Sequence, residues 1–188
     1  MILAVNIKDQ KVEKESGHRL KDFGLNESNL QEYLFKTLDR LIPDDELITL
    51  MQSRKGKEEP DIMAIGENGD LFIFELKAWE STSENLLQVL RYGQIFGPSS
   101  YTDLDKLYKN HTDRTQSLSL AYEAKFGETL SETKYNQKQI FIVMTNGLDY
   151  KTRISIQYWR SCGLDVRPWI YRIYKGVRDE EISNQQMK

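Results

Sequence analysis

The sequence predicts a mixed α/β fold in which helices pack around one sheet, in the order helix, three-stranded antiparallel meander, helix, helical insertion, strand, helix, strand. Three observations predict it. Leu30, Leu34, Leu38 and Leu41 recur at helical spacing. Two apolar runs, 61–66 and 70–77, flank the turn formers Glu67, Asn68 and Gly69. The stretch QIFIVMT at 139–145 is a short apolar run of the kind a buried strand shows.

Taken in order, residues 2–7 read as a short strand at the start of 25 residues of mixed charge. NESNLQEYLFKTLDRLIPDDE is a helix with Asn26 or Ser28 as N-cap and Pro43 as terminator. LITLMQSR at 47–54 is a strand, followed by the polar loop KGKEEP and the two strands at 61–66 and 70–77. STSENLLQVLRYGQIFG opens with Ser81 and Glu84 in capping-box spacing and closes at Gly97 and Pro98, which bounds a second helix. Residues 99–136 are more polar, with a helix over about 102–126, and read as an insertion. Residues 150–162 form a helix and 165–175 a last strand, with Pro168 near its start or at a sheet edge. The expectation is a single domain over 1–188, its core at about 26–97 and 139–175.

Composition narrows the chemistry. The 188 residues suffice for one hydrophobic core, and no run approaches the roughly 18 to 20 apolar residues that span a bilayer. MILAVNIKDQ turns charged too early for a signal peptide, so the expected location is cytoplasmic, without membrane attachment. One cysteine, Cys162, excludes an intramolecular disulfide and a cysteine-rich zinc site, and two histidines leave little for an imidazole site. A metal here would be held by oxygen. The net charge of −3 hides a basic, aromatic C-terminal segment in which Arg153, Arg160, Arg167, Arg172 and Lys175 interleave with Tyr158, Trp159, Trp169, Tyr171 and Tyr174. That pattern suits phosphate contact, and equally the solvated face of a helix and strand whose aromatics are core.

EEPDIMAIGENGDLFIFELKAW holds the candidate chemistry. Side chains alternate along a strand, so Glu75 and Lys77 point to one face, a polar pair at the end of an apolar run. Buried charges require such pairing or a metal. The place of Asp61 depends on the turn. A two-residue Asn68-Gly69 loop would put Asp61 and Glu75 on opposite faces, whereas a three-residue loop with Gly69 left-handed sets Asp61 directly opposite Glu75. Asparagine followed by glycine suits either loop; a joint site requires the three-residue version, which is the one expected.

Pro60-Asp61 and Glu75-x-Lys77, in this element order, resemble the PD-(D/E)XK restriction-endonuclease-like nuclease superfamily. Gln88 and Tyr92 on the next helix resemble the Q-x-x-x-Y motif of its RecB-like branch, and Glu27 resembles the acidic residue that branch carries on its first helix. The stretch from NESNLQEYL to LLQVLRYGQ is similar to the nuclease domain of NucS (EndoMS) enzymes. Glu27 precedes Leu30 by three and Leu34 by seven, at the head of the core-facing stripe, whereas Glu32 shares a face with Lys36.

The resemblance implies a restriction-endonuclease-like core and a Mg²⁺-dependent endonuclease acting on DNA, with Mn²⁺ able to substitute. Asp61, Glu75 and the Leu76 backbone carbonyl would hold the ion, and Glu27 is a candidate for a second one. Lys77 would orient water or stabilise developing charge, and Gln88 and Tyr92 would contact phosphate or hold Lys77. Cutting both strands of a duplex uses two sites related by a two-fold axis, so a homodimer fits, with 99–136 as its interface. The competing classes are a nuclease fold with an idle site, retained to bind nucleic acid or protein, and an unrelated α/β domain with accidental spacing.

Overall fold

The computed structural model describes residues 3–6, 11–14, 17–41, 46–53, 58–112 and 115–174. They fall into two compact units, one made of the described residues from 26 to 171 and one of those before 26 together with those after 171. In the terminal unit, β1 (Leu3–Asn6) pairs antiparallel with β2 (Lys11–Lys14), and the His18 N–H donates to the Ile173 carbonyl at 2.8 Å.

The larger unit opens with α1 (Glu27–Leu41). Asn26 caps it: its Oδ1 accepts from Asn29 N at 3.1 Å, while Asn29 Oδ1 accepts from Asn26 N at 3.0 Å. The expected terminator Pro43 lies outside the described residues. The elements β3 (Leu47–Gln52), β4 (Ile62–Gly66) and β5 (Leu71–Leu76) follow as the antiparallel meander. A two-residue β6 (Glu80–Ser81) leads into α2 (Ser83–Phe96), whose N-terminal cap is Thr82 with Asn85, one residue beyond the Ser81–Glu84 pair expected. In place of one helix over 102–126 there are two, α3 (Tyr101–Thr112) and α4 (Leu118–Phe126). The break has a local cause. Ser117 Oγ accepts from Leu120 N and starts α4, and Asp105 Oδ1 accepts the Leu118 N–H at 2.7 Å, folding α4 back toward α3. The chain continues through β7 (Gln139–Thr145), β8 (Gly147–Leu148), α5 (Tyr150–Ser161) and β9 (Asp165–Ile170).

The sheet order is β3-β4-β5-β7-β9, with β5, β7 and β9 parallel. Pro168 sits in β9, an edge strand, where its missing N–H costs no ladder bond on the open side. One face of the sheet presents Met63, Ile65, Leu71, Ile73, Val143 and Val166 to Leu86, Val89, Leu104, Tyr122 and Ile156 of α2 to α5. The other presents Ile62, Ala64, Phe72, Phe74 and Ile142 to Leu34 and Leu38 of α1. The segment 99–136 is thus part of the core through Leu104, Tyr108, Leu118 and Tyr122. Among the described residues no helix is long and apolar enough to cross a membrane.

At the far edge, Asp165 is held by Arg167 (Nε to Oδ1 2.9 Å) and Lys138 (Nζ to Oδ2 2.7 Å). The Arg167 hydrogen bond, with Lys138 adding to it, pushes its carboxyl down to about 2. A depressed folded pKa gives stability that is present above the unfolded value near 3.8 and is lost as pH falls through about 2. Asp165→Asn is therefore expected to cost about 1–2 kcal/mol at neutral pH. In urea melts, its deficit against the native chain should shrink as pH drops from about 4 toward 2.

Candidate active site

The turn between β4 and β5 decides whether a site exists, and it is the three-residue form. Gly66 N donates to Asp70 O at 3.1 Å, Gly69 N to Gly66 O at 2.9 Å, and Gly69 is left-handed at φ 78°. The ladder then runs Ile65 to Leu71, Ala64 to Phe72, Met63 to Ile73 and Ile62 to Phe74; just beyond it the Asp61 N–H donates to the Phe74 carbonyl at 3.1 Å, and the Asp61 carboxylate is near enough to Glu75 for their charges to interact. Met63, Ile65, Leu71 and Ile73 face α2, and by alternation Glu75 and Lys77 point to that face. Gly69 has no room for a side chain: a Cβ would lie 2.6 Å from Leu130 Cδ2 and 2.9 Å from the Lys134 carbonyl. Gly69→Ala combines that clash with a left-handed backbone and is expected to destabilise the protein by about 2 kcal/mol in denaturant melts.

Asp61 Oδ2 accepts the Leu76 N–H at 2.7 Å. Beside it Glu75, 1% exposed, receives Lys77 Nζ on Oε1 at 2.6 Å. Glu27, at the first turn of α1, reaches the same lysine (Oε1 to Nζ 3.4 Å) and accepts the Ala78 N–H on Oε2 at 3.0 Å. Glu32 instead pairs with Lys36 at the surface. Burial, reinforced by the charge of Asp61, pushes Glu75 up to about 7 despite Lys77. Burial also raises Asp61, against the Leu76 N–H and Lys77. Burial opposes the charge on Lys77, but its contacts with Glu75, Glu27 and Asp61 together raise its pKa.

Three residues that sequence reasoning missed fix this geometry. Gln31, one turn after Glu27 on α1, donates through Nε2 to the Asp61 carbonyl at 2.8 Å and to Ser53 Oγ at 2.7 Å. Its spacing of four from Glu27 is the signal that could have found it. Tyr171, just past β9, donates its hydroxyl to the Lys77 carbonyl at 2.9 Å, and Thr145 Oγ1 lies 2.5 Å from the Trp79 carbonyl. No local pattern announces those two; both reach across strands distant in sequence.

Gln88 Nε2 donates to the Tyr92 hydroxyl at 2.9 Å, and Tyr92 is buried on α2. Burial raises the Tyr92 pKa, with the charges of Glu75 and Asp61 contributing. The pair forms one wall of a cavity of about 390 Å³ also lined by Glu58, Glu84, Leu87 and Arg91.

The basic residues do not gather. Arg153 and Arg160 are on α5, and Arg160 Nε is used by the Val166 carbonyl at 2.7 Å. Arg167 pairs with Asp165 and lies over the Phe72 ring at 5.8 Å, on the α1 face of the sheet, whereas α5 packs the opposite face through Ile156. Arg172 belongs to the terminal unit, and Lys175 lies outside the described residues. Arg153 stands at the N-terminal end of α5, which follows β7 and β8 on the end of the sheet where β5 delivers Glu75.

Among the described residues no group of three or more His, Cys, Asp or Glu is clustered as for a metal ion. The carboxylates near enough to interact are Asp61 and Glu75, with Asp61 held on the Leu76 N–H.

No family model matches the sequence, and no curated protein does. Among solved structures, the chain is similar to EndoMS in its complex with double-stranded DNA, at 12% identity and a TM-score of 0.43 over 84% of this chain and 47% of that one. It is also similar to a repair endonuclease from Pyrococcus abyssi, at 13% identity and a TM-score of 0.40 over 77% of this chain and 47% of that one. The chain thus spans about half the length of each of these proteins.

Proposed function

We propose that the chain is a metal-dependent endonuclease that hydrolyses phosphodiester bonds in DNA. The observation that carries the reading is the meeting of Asp61, Glu75 and Lys77, with Glu27 closing on the lysine from α1. A carboxylate 1% exposed, facing a second carboxylate, is a costly arrangement that a structural role does not call for.

The donor set is all oxygen and small. Mg²⁺ keeps several waters and is placed by one or two carboxylates plus substrate phosphate, so Asp61 and Glu75 suffice, with the Leu76 carbonyl as a third candidate donor; Ca²⁺ takes six to eight oxygens, which this site does not assemble. The chemistry supplied by such an ion, Mg²⁺ or Mn²⁺, is acidification of the attacking water and neutralisation of phosphoryl charge. Lys77, oriented by Glu75 and Glu27, directs its ammonium at the water or at the charge that builds on the phosphate. Glu27 works mainly through Lys77 and the Ala78 N–H, and a second ion would draw on it directly or through water. Gln88 and Tyr92 form the wall along which the substrate backbone runs. Arg153 contacts phosphate beyond the site. DNA as substrate, and a homodimer joined through 99–136, belong to the same proposal.

The test is cleavage of linear, circular and single-stranded DNA, and of RNA, in Mg²⁺ or Mn²⁺, comparing the native chain with Asp61→Ala and Lys77→Ala. Cutting that both substitutions abolish in folded proteins supports the reading. Absence of cutting together with absence of divalent-ion binding assigns the fold to a binding role instead. A monomer at high concentration removes the homodimer.

A further inference from the structure

Arg91 projects from α2 one residue before Tyr92 and pairs through Nη2 with Glu58 Oε1 at 2.8 Å. The two side chains are 64% and 53% exposed, and both line the cavity of about 390 Å³ that shares Gln88 and Tyr92 with the candidate active site. An ion pair this exposed contributes almost nothing to stability, so a stability role does not explain it and little opposes its exchange. Its position is informative. Glu58 precedes Asp61 by three residues on the segment leading into β4, with buried Pro60 between them, so the pair ties α2 to the strand that delivers the carboxylate. The cavity is at the small end of ligand-sized pockets, which run from about 300 to 1,000 Å³, suited to one nucleotide rather than a duplex.

We propose that this cavity is a nucleotide subsite in which Arg91 exchanges Glu58 for a backbone phosphate of the strand being cut. The guanidinium is planar and matches phosphate with two parallel hydrogen bonds, a geometry the single contact to Glu58 does not use. Glu58 is then an internal competitor: it holds Arg91 in place without substrate and repels the phosphate that displaces it. The inference rests on the nuclease reading of the Asp61–Glu75 site, and it assigns a place to the nucleotide next to the scissile bond.

The experiment is fluorescence anisotropy of labelled single-stranded and duplex DNA in EDTA, where nothing is cut, with Arg91→Ala, Glu58→Gln and the double variant, alongside cleavage by each in Mg²⁺. Arg91→Ala is expected to weaken binding by about tenfold and to reduce the slope of log K against log salt by about one. Glu58→Gln is expected to tighten binding a few-fold, and to do so only while Arg91 is present. A pair that merely ties α2 to the strand predicts the opposite sign for Glu58→Gln, with both single variants weakening binding alike. That result, or binding by all variants equal to the native chain while the native chain still cuts, overturns the subsite and leaves the nuclease reading standing. A native chain that neither binds nor cuts overturns both.

Discussion

Asp61→Asn is expected to lose at least about a thousandfold in divalent-ion-dependent DNA cleavage while melting within about 1 kcal/mol of the native chain. The two expectations have separate causes. The side-chain oxygen that accepts the Leu76 N–H at 2.7 Å survives in the amide, which therefore still closes the end of the β4–β5 ladder. Burial disfavours charge at Asp61, so a neutral amide there does not cost stability through electrostatics. On the proposed reading, what the amide removes is one of the two carboxylates that would hold the ion. A site that places an ion with two carboxylates has no replacement for either, and several kcal/mol of transition-state stabilisation go with it. Rates under single-turnover conditions, with a thermal melt of the same preparation, measure both. Native-like cleavage by the folded variant would remove Asp61 from the reaction.

The sequence-legible part of this site was local, because the hairpin carries its own evidence. Asp61, Glu75 and Lys77 lie within 17 residues of one another, and alternation alone puts Glu75 and Lys77 on one face. Glu27 was legible as the head of the α1 stripe. Asn68-Gly69 suits both loop lengths, so the three-residue register is expected only because a joint site requires it, and the contacts that hold it are distant: Leu130 and Lys134 crowd Gly69, and Asn136 N donates to its carbonyl at 2.8 Å. Distance in sequence also hid Tyr171 and Thr145, which act on main-chain carbonyls rather than through any motif. The basic C-terminal segment is divided for a related reason. Composition counts Arg160 and Arg167 together, but helix and strand send them to different partners, Val166 and Asp165.

Glu75→Gln is expected to abolish cleavage and, in EDTA at pH 8, to stabilise the protein by about 2–3 kcal/mol. The folded pKa is raised from 4.5 to about 7, so folding favours the protonated carboxyl. For a raised acid the sign is opposite to that of Asp165: the native chain is penalised progressively as pH climbs from about 4.5 to 7, and the penalty stays constant above that. A rise from 4.5 to about 7 sets the ceiling at about 3 kcal/mol. The attraction of Lys77 is already counted in it, because protonating Glu75 gives up the same ion pair that the amide gives up. Lys77 gains from the pairing while Glu75 does not recover its burial cost, since the lysine side chain is 21% exposed and the carboxylate 2%. For a chain of this size the gain corresponds to a rise in Tm of about 5–10 °C at pH 8, shrinking to a small difference near pH 4.5 where both forms are neutral in the fold. On the proposed reading the site trades stability for a charged carboxylate held out of water, and the variant should recover that stability as it loses cleavage. Equal melting temperatures at pH 8 would mean that Glu75 is ionised in the fold at little cost, and the case for a functional rather than structural carboxylate would then lose its energetic half.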